Sequence, residues 1–334
     1  MVKFLQKICQ NRFRTLSVVV TSTVSCAFAL TAIAQGSYPA SPVRLVLGFP
    51  PGATTDLIAR LLAPKLASAM NANFVVENRE GANGNIGADL VAKARPDGYT
   101  ILLNTSGVVL SLAIGDKVNY DLFKDLAPVA LMATAPQLLV VHPSLPVNNV
   151  AEFIAYAKAN ADKLAYSSSG VGSNSHLAPL LFLQAHGLTA LHVPYKGTGP
   201  AVVDLAAGRV QFGMQSMTTM LPLAREKRLK ALAVTSLKRL ALLPELPTLA
   251  EMMPGFEIGN WFGIMVPGQT PSAIIKRLNA EIVKAMQDPA IKSRLAQEGT
   301  ETLASTPEEY GAYMRREMER WGKAMKSSGV VNPD

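Results

Sequence analysis

Ser167-Ser168-Ser169-Gly170-Val171-Gly172-Ser173-Asn174-Ser175 follows a β-rich run, Leu164–Ser168, and leads into a helical stretch from about His176. Near the start of the chain the same order recurs: Val43–Phe49, then Phe49-Pro50-Pro51-Gly52-Ala53-Thr54-Thr55-Asp56, then a helix carrying Leu57, Ile58, Leu61 and Leu62. A strand, a loop of Gly and hydroxyl residues and a helix make half of a βαβ unit. Two such junctions predict an α/β chain with parallel sheets and right-handed crossovers. Outward from the first junction, Asn73–Glu77 and Tyr99–Leu103 read as further strands, separated by the Gly81–Gly87 segment, a helix and the turn Pro96-Asp97-Gly98. The alternation restarts after Val140-Val141-His142-Pro143. A helix near Val150–Ala161 is capped by Asn149 with Glu152, and strands follow at Leu191–Val193, Val210–Met214 and Leu232–Thr235. The last third reads as helical, with starts at Thr270-Pro271 and Thr306-Pro307-Glu308-Glu309; Tyr310, Met314, Met318, Trp321 and Met325 form one apolar stripe, which is core packing.

The two junctions share a chemistry. Backbone N–H groups at a helix start have no intrahelical partner, and the positive end of the helix dipole lies there. Such a place holds an anion without a basic side chain. Neither loop contains Lys or Arg. Taken singly, each is as well explained by ordinary caps and turns; one per α/β series points to a shared site between them.

Composition narrows the field. The chain has 334 residues, enough for two domains, with 49% hydrophobic and 17% charged residues. Lys3, Lys7, Arg12 and Arg14 precede an uncharged run over 15–34 that ends Ala32-Ile33-Ala34 before Gln35, the pattern of a secretory leader cut after Ala34. Its removal takes the formal charge from +8 to +4 and carries away both cysteines, Cys9 and Cys26. A mature chain without thiols has no disulfide, thiolate nucleophile or Cys-bound metal. Arg225, Lys227, Arg228 and Lys230 form a solvated face with few aromatics interleaved, so no nucleic-acid partner is expected.

Enzyme signatures are missing. Gly170-Val171-Gly172-Ser173-Asn174-Ser175 has Ser where a dinucleotide fingerprint needs its third Gly, and Gly81, Gly84 and Gly87 have the wrong spacing. No phosphate-binding G-x-x-x-x-G-K-[ST], G-x-S-x-G elbow or H-E-x-x-H occurs. His142, His176, His186 and His192 lack metal-ligand spacing. No cofactor and no metal are expected.

Further motifs stand in a fixed order: Phe49-Pro50-Pro51-Gly52 with Asp56; Val76-Glu77-Asn78-Arg79 leading to Gly84-Asn85-Ile86-Gly87-Ala88; Pro96-Asp97-Gly98-Tyr99; Ser168–Ser173 with His176-Leu177; Val193-Pro194-Tyr195-Lys196-Gly197 with Pro200-Ala201 and Asp204-Leu205; Trp261-Phe262-Gly263; and Thr270-Pro271. This set resembles the substrate-binding components of tripartite tricarboxylate transporters, the Bug family of extracytoplasmic receptors, from about Tyr38 to Gly329. The resemblance implies a two-lobed periplasmic-binding fold (type II-like) whose chain crosses between lobes twice. Residues 35–141 with 260–334 would form one lobe and 142–259 the other. It also implies a small carboxylate ligand, held by N–H groups, hydroxyls and bridging water and delivered by a monomer to a membrane permease. The candidate ligand-binding residues are Phe49, Pro51, Gly52, Ala53, Thr54, Thr55 and Asp56 in the first loop, Ser106 after the third strand, and Ser168, Ser169, Gly170, Val171, Gly172 and Ser173 in the second loop, with His176 and Asp204. Asp56 reads more readily as a loop organiser than as a contact, and a solvated helical position for Asp204 competes with one facing the cleft. Ala53, Glu80, Asn83 and Gly48 depart from the family's usual Gly, Pro, Gly and Pro. Two other readings compete: an α/β enzyme with an anion pocket between lobes, such as a dehydrogenase, and a receptor that feeds a sensor rather than a transporter.

Overall fold

The computed structural model describes residues 38–328. The leader, with Cys9, Cys26 and the cut before Gln35, lies outside the described residues, as does the side chain of Met325. From Ser41 onward the chain forms one compact unit; of the other, Met1–Ala40, only Tyr38–Ala40 is described.

The first α/β series is β1 (Val43–Leu47), α1 (Thr54–Met70), β2 (Phe74–Asn78), α2 (Asn85–Ala92), β3 (Thr100–Thr105) and α3 (Ser106–Ala113). β1 lies between β2 and β3 and runs parallel to both. A central parallel strand is covered on both faces, which is why Val43, Leu45, Val46 and Leu47 are all buried rather than alternating. α1 turns Ile58, Leu62 and Leu66 inward and ends at Asn71 in the left-handed region (φ 51°), a conformation Asn tolerates better than most residues.

The second series is α4 (Val150–Ala159), β5 (Ala165–Ser168), α5 (Asn174–Ala185), β6 (Leu191–Pro194), α6 (Thr198–Ala206), β7 (Phe212–Ser216), α7 (Met217–Arg225) and β8 (Lys230–Val234). Here β5 is the parallel centre, between β6 and β7. The Asn149–Glu152 cap forms as expected: the Asn149 side chain accepts the Glu152 N–H at 2.8 Å, and Glu152 accepts the Asn148 N–H at 2.7 Å.

Two long strands join the series, and the composition reading anticipated neither. β4 (Leu126–Val141) and β9 (Gly259–Pro267) are antiparallel to one another over Leu126↔Pro267 to Pro136↔Gly259. β4 changes partners along its length: its first part lies against β9 and β10 (Glu301–Thr302), while Gln137–Val141 pairs with β7 and β8. The strand order is β2-β1-β3-β9-β4-β7-β5-β6. β4 therefore carries the chain out of the first set of strands, and β9 brings it back beside β3. The C-terminal region is thus not wholly helical: β9 precedes α8 (Ser272–Met286), α9 (Pro289–Ala296) and α10 (Pro307–Ser328). α10 starts at the expected capping box, with Thr306 N–H to Glu309 at 2.8 Å and Glu309 N–H to Thr306 at 3.1 Å. Its stripe is core: Tyr310 and Met314 pack with Val46, Leu102 and Trp261, whereas Trp321 joins the cluster of Phe153, Tyr166 and Phe212.

Candidate functional site

The first loop is built around one carboxylate. Asp56 is buried in the first turn of α1 and accepts the Gly52 N–H at 3.1 Å and Arg60 Nε at 2.8 Å on one oxygen; Asn78 Nδ2 reaches the other at 3.3 Å. Asn78 also donates to the Phe49 carbonyl at 2.9 Å, tying β2 to the loop. The Arg60 hydrogen bond, helped by the Gly52 and Asn78 donors, holds the Asp56 carboxyl below its usual range against the opposing effect of burial. Asp56 thus organises the loop, the role the sequence favoured. Gly48 has its reason here: a Cβ on it would stand 2.4 Å from Gly84 Cα, so the loop and the Gly81–Gly84 segment touch backbone to backbone. Phe49 lies over that contact, against Gly84 and Gly107. Ala53 caps α1 without a side-chain oxygen, so its side chain satisfies none of the first-turn N–H groups. Thr54 lies 3.4 Å, Oγ1 to Oγ1, from Thr218 at the start of α7. Thr55 Oγ1 is buried without a partner among the described residues.

The second loop folds on its own hydroxyls. Ser173 caps α5, accepting the His176 N–H at 3.3 Å and donating to the Gly170 carbonyl at 2.7 Å. Ser175 Oγ accepts the Ser169 N–H at 2.9 Å and lies 3.0 Å from the hydroxyls of both Ser169 and Ser173. Ser168 is turned inward, its hydroxyl 2.7 Å from His192 Nε2. Gly170 and Gly172 have φ of 137° and 75°, which only Gly adopts freely. Val171 stands exposed at the tip.

His176 is 4% exposed, and its Nδ1 accepts the Gly172 N–H at 3.2 Å. Burial, with the neighbouring His192, lowers its pKa to about 4, so the ring is neutral. Behind the loop, the Tyr195 and Gly197 N–H groups donate to the Ser168 and Ser169 carbonyls at 3.0 and 3.2 Å. Asp204 braces that backing strand: its two oxygens accept Tyr195 Oη and Arg209, each at 2.7 Å. These two bonds, Tyr195 first, hold its carboxyl below the usual range.

The two loops make no hydrogen bond to each other among the described residues, but the series are linked beside them, through Thr54 and Thr218 and through Ser106. Asn174 Nδ2 donates to Ser106 Oγ at 2.8 Å and to Asn260 Oδ1 on β9 at 2.6 Å, and Ser106 donates to Asn260 at 3.2 Å. Ile114, just past α3, meets the loop so closely that a Cβ on Gly172 would stand 2.3 Å from its Cδ1. Asn174, Asn260, Thr218, Asn78 and His192 were not singled out from sequence. Asn174 and Asn78 lie inside motifs already quoted, where an amide beside a helix start or a strand end was the available signal; Thr218 offered none.

Three helix starts (α1, α3 and α5) thus bring hydroxyls, amides and N–H groups toward one region. Arg60, one turn along α1, is paired with Asp56. The arrangement can hold an anion through neutral donors, each bond to a charged acceptor contributing about 1.5–3 kcal/mol. Among the described residues no three His, Cys, Asp or Glu side chains stand together as metal ligands. A separate cavity of about 400 Å³ is lined by Pro136, Thr235, Glu257, Asn260, Glu317 and Arg320, among others, and by no residue of either loop.

Comparison with known proteins gives a consistent picture. The family model described as tripartite tricarboxylate transporter family receptor matches residues 58–330. The chain is similar to R. palustris Rpa4515, solved with adipate: 36% identity, TM-score 0.81, covering 88% of this chain and 99% of that one. It is similar to the periplasmic binding protein BugD at 35% identity and TM-score 0.79, covering 89% of this chain and 100% of that one. MatC from Rhodopseudomonas palustris, solved with bound malate, follows at 31% identity and TM-score 0.76, covering 86% and 99%.

Proposed function

The chain belongs to the tripartite tricarboxylate transporter receptor family, and on that premise we propose that it is a periplasmic solute-binding protein that captures a small carboxylate and presents it to a membrane permease. The observation that carries this reading is a hydroxyl- and N–H-rich helix start in each series, with no Lys or Arg in either loop, in a chain whose solved relatives hold adipate and malate. Such donors suit a carboxylate and leave the site without a nucleophile, base and orienter set for turnover.

In this reading, residues 35–141 with 260–334 make one lobe and 142–259 the other. The change of partners along β4 at Pro136 and Gln137, and the return of β9 beside β3, support it. Ligand bridging the Pro51–Asp56 and Ser168–Ser173 loops favours the closed arrangement because it contacts both only there. The candidate hydroxyl donors are Thr54, Thr55, Ser168, Ser169 and Ser173, with Ser106; Ser168, Ser173 and Ser106 already bond to His192, the Gly170 carbonyl and Asn260, and exchange those partners to reach a ligand. The protein works as a monomer without cofactor, and residues 1–34 are the leader that exports it. Intact mass of exported protein checks the last point: a chain beginning at Gln35 is expected, and a retained leader refutes it.

The test of function is a thermal-shift screen of mono-, di- and tricarboxylates beside nicotinamide dinucleotides. A ligand present at a hundred times its Kd stabilises by about 2.7 kcal/mol. Stabilisation by a carboxylate supports the reading; stabilisation by dinucleotides and by no carboxylate overturns it.

A further inference from the structure

Beneath the second loop lies a cluster that the function above does not use. Tyr166 of β5, His192 of β6 and His176 of α5 form a stack: the His176 and His192 rings are 4.0 Å apart at 16°, and Tyr166 and His192 are 4.9 Å apart at 21°. Each imidazole is bonded to the loop. His176 Nδ1 accepts the Gly172 N–H, and His192 Nε2 lies 2.7 Å from the Ser168 hydroxyl, which itself donates to the Gly170 carbonyl at 3.2 Å. The Ser168 hydroxyl and His192 Nε2 share one proton in this bond, and the same hydroxyl also accepts the Gly170 N–H at 3.2 Å. An accepting Nδ1 makes the His176 ring neutral with its hydrogen on Nε2. The titratable group facing the pair is Tyr166; Tyr195 and Asp204 stand behind the loop, with Asp204 paired to Arg209. Among the described residues neither ring is ion-paired or hydrogen-bonded to a carboxylate.

We propose that His176 and His192 are positioning residues for ligand capture: a stacked pair of imidazoles that fixes the Gly172 amide and the Ser168 hydroxyl, and so sets the shape in which the Ser168–Ser173 loop meets a carboxylate. This rests on the reading above of that loop as the ligand site. The two rings are not equivalent. Protonating His192 makes Nε2 a donor in either tautomer, and the Ser168 hydroxyl can accept it, so that bond is kept. Protonating His176 places a proton on the very nitrogen that accepts from Gly172, so that bond is lost. Two cations cannot share a 4.0 Å stack, so the pair takes up at most one proton readily. The loop is thereby tied to proton uptake at His176, which burial resists.

The variants separate positioning from packing. Asn at 176 retains an acceptor near Nδ1, and Gln at 192 retains an amide near Nε2 that can donate to or accept from Ser168; Leu at either position retains bulk alone. Adipate and malate are titrated calorimetrically into the mature protein. His176→Leu and His192→Leu are expected to weaken binding about tenfold or more, and His176→Asn and His192→Gln to stay within about threefold of wild type. From pH 6 to 4, wild-type affinity is expected to fall faster than that of His176→Asn, a difference from which the ligand's own titration cancels. Equal loss in the Leu and the amide variants, or no loss in any, overturns the proposal. If neither acid binds wild type, the reading of the site fails instead. Amide exchange at Gly172 in ligand-free protein then decides the positioning claim: protection lost in His176→Leu and kept in His176→Asn supports it, and protection unchanged in both overturns it.

Discussion

Gly172→Val perturbs the second loop at the point where its geometry is most exacting. Gly172 has φ 75°, where an L-residue costs roughly 1–2 kcal/mol and a β-branched one more. Its new Cβ would lie 2.3 Å from Ile114 Cδ1 and 3.6 Å from Cγ1, so the tip of the Ile114 side chain must swing away. Overpacking of this kind costs about 1–3 kcal/mol. The sum, about 2–5 kcal/mol, falls on the arrangement in which the loop lies against α3. Loss of only ~1.4 kcal/mol from the binding-competent state already raises Kd tenfold. Calorimetric titration of a bound carboxylate should therefore show at least a ten- to hundredfold loss, and Ile114→Ala in the same chain should restore part of it by relieving the contact. Wild-type affinity in folded Gly172→Val would mean that the ligand sits elsewhere and that Ser168–Ser173 is only a helix cap.

Thr55→Val removes a buried, unpartnered hydroxyl; the melting temperature should hold or rise, while carboxylate affinity falls about tenfold if that oxygen is a ligand donor. An unchanged Kd refutes the donor role. Asn174→Ala strips the amide that bridges Ser106 and Asn260 and should destabilise the fold by about 1–3 kcal/mol in urea unfolding; no loss would show that the bridge contributes nothing net. Acid should weaken the protein in two stages. The folded pKa of His176 is depressed from 6.5 to about 4, so its contribution is complete above 6.5 and is lost as pH falls toward 4, on the order of 3 kcal/mol at roughly 1.4 kcal/mol per pH unit. Asp56, also depressed, loses its contribution only below its ordinary carboxylate range. Urea midpoints in His176→Asn that track wild type from pH 6.5 to 4 would contradict the first stage.

The parts of the fold legible in the sequence were those set by local chemistry. β1, β5 and the helices after them announce themselves by apolar runs bounded by Gly, Pro and hydroxyl residues, and the Asn149 and Thr306 caps by spacing alone. β4 and β9 were not legible. Leu126–Val141 is apolar almost throughout and is interrupted by Pro128 and Pro136, so it shows neither a two-residue nor a helical period. Its burial comes from β9 and β10 along one part and β7 and β8 along the other, and partners that distant in sequence leave no periodic trace. The site divides in the same way. Ser173 as a cap and Asp56 as a loop organiser follow from position in the chain. The inward turn of Ser168 depends on His192, twenty-four residues away on the neighbouring strand, and the Ser106–Asn174–Asn260 bridge joins three elements that only the tertiary fold brings together.

The central claim is that a carboxylate lies between the starts of α1 and α5, and a crystal structure of the mature protein grown with adipate or malate tests it most directly. The account predicts carboxylate density within hydrogen-bonding distance of N–H groups or hydroxyls from both Pro51–Asp56 and Ser168–Ser173, with no Lys or Arg in contact. Density confined to one loop, or seated in the cavity lined by Glu257, Glu317 and Arg320, would contradict it.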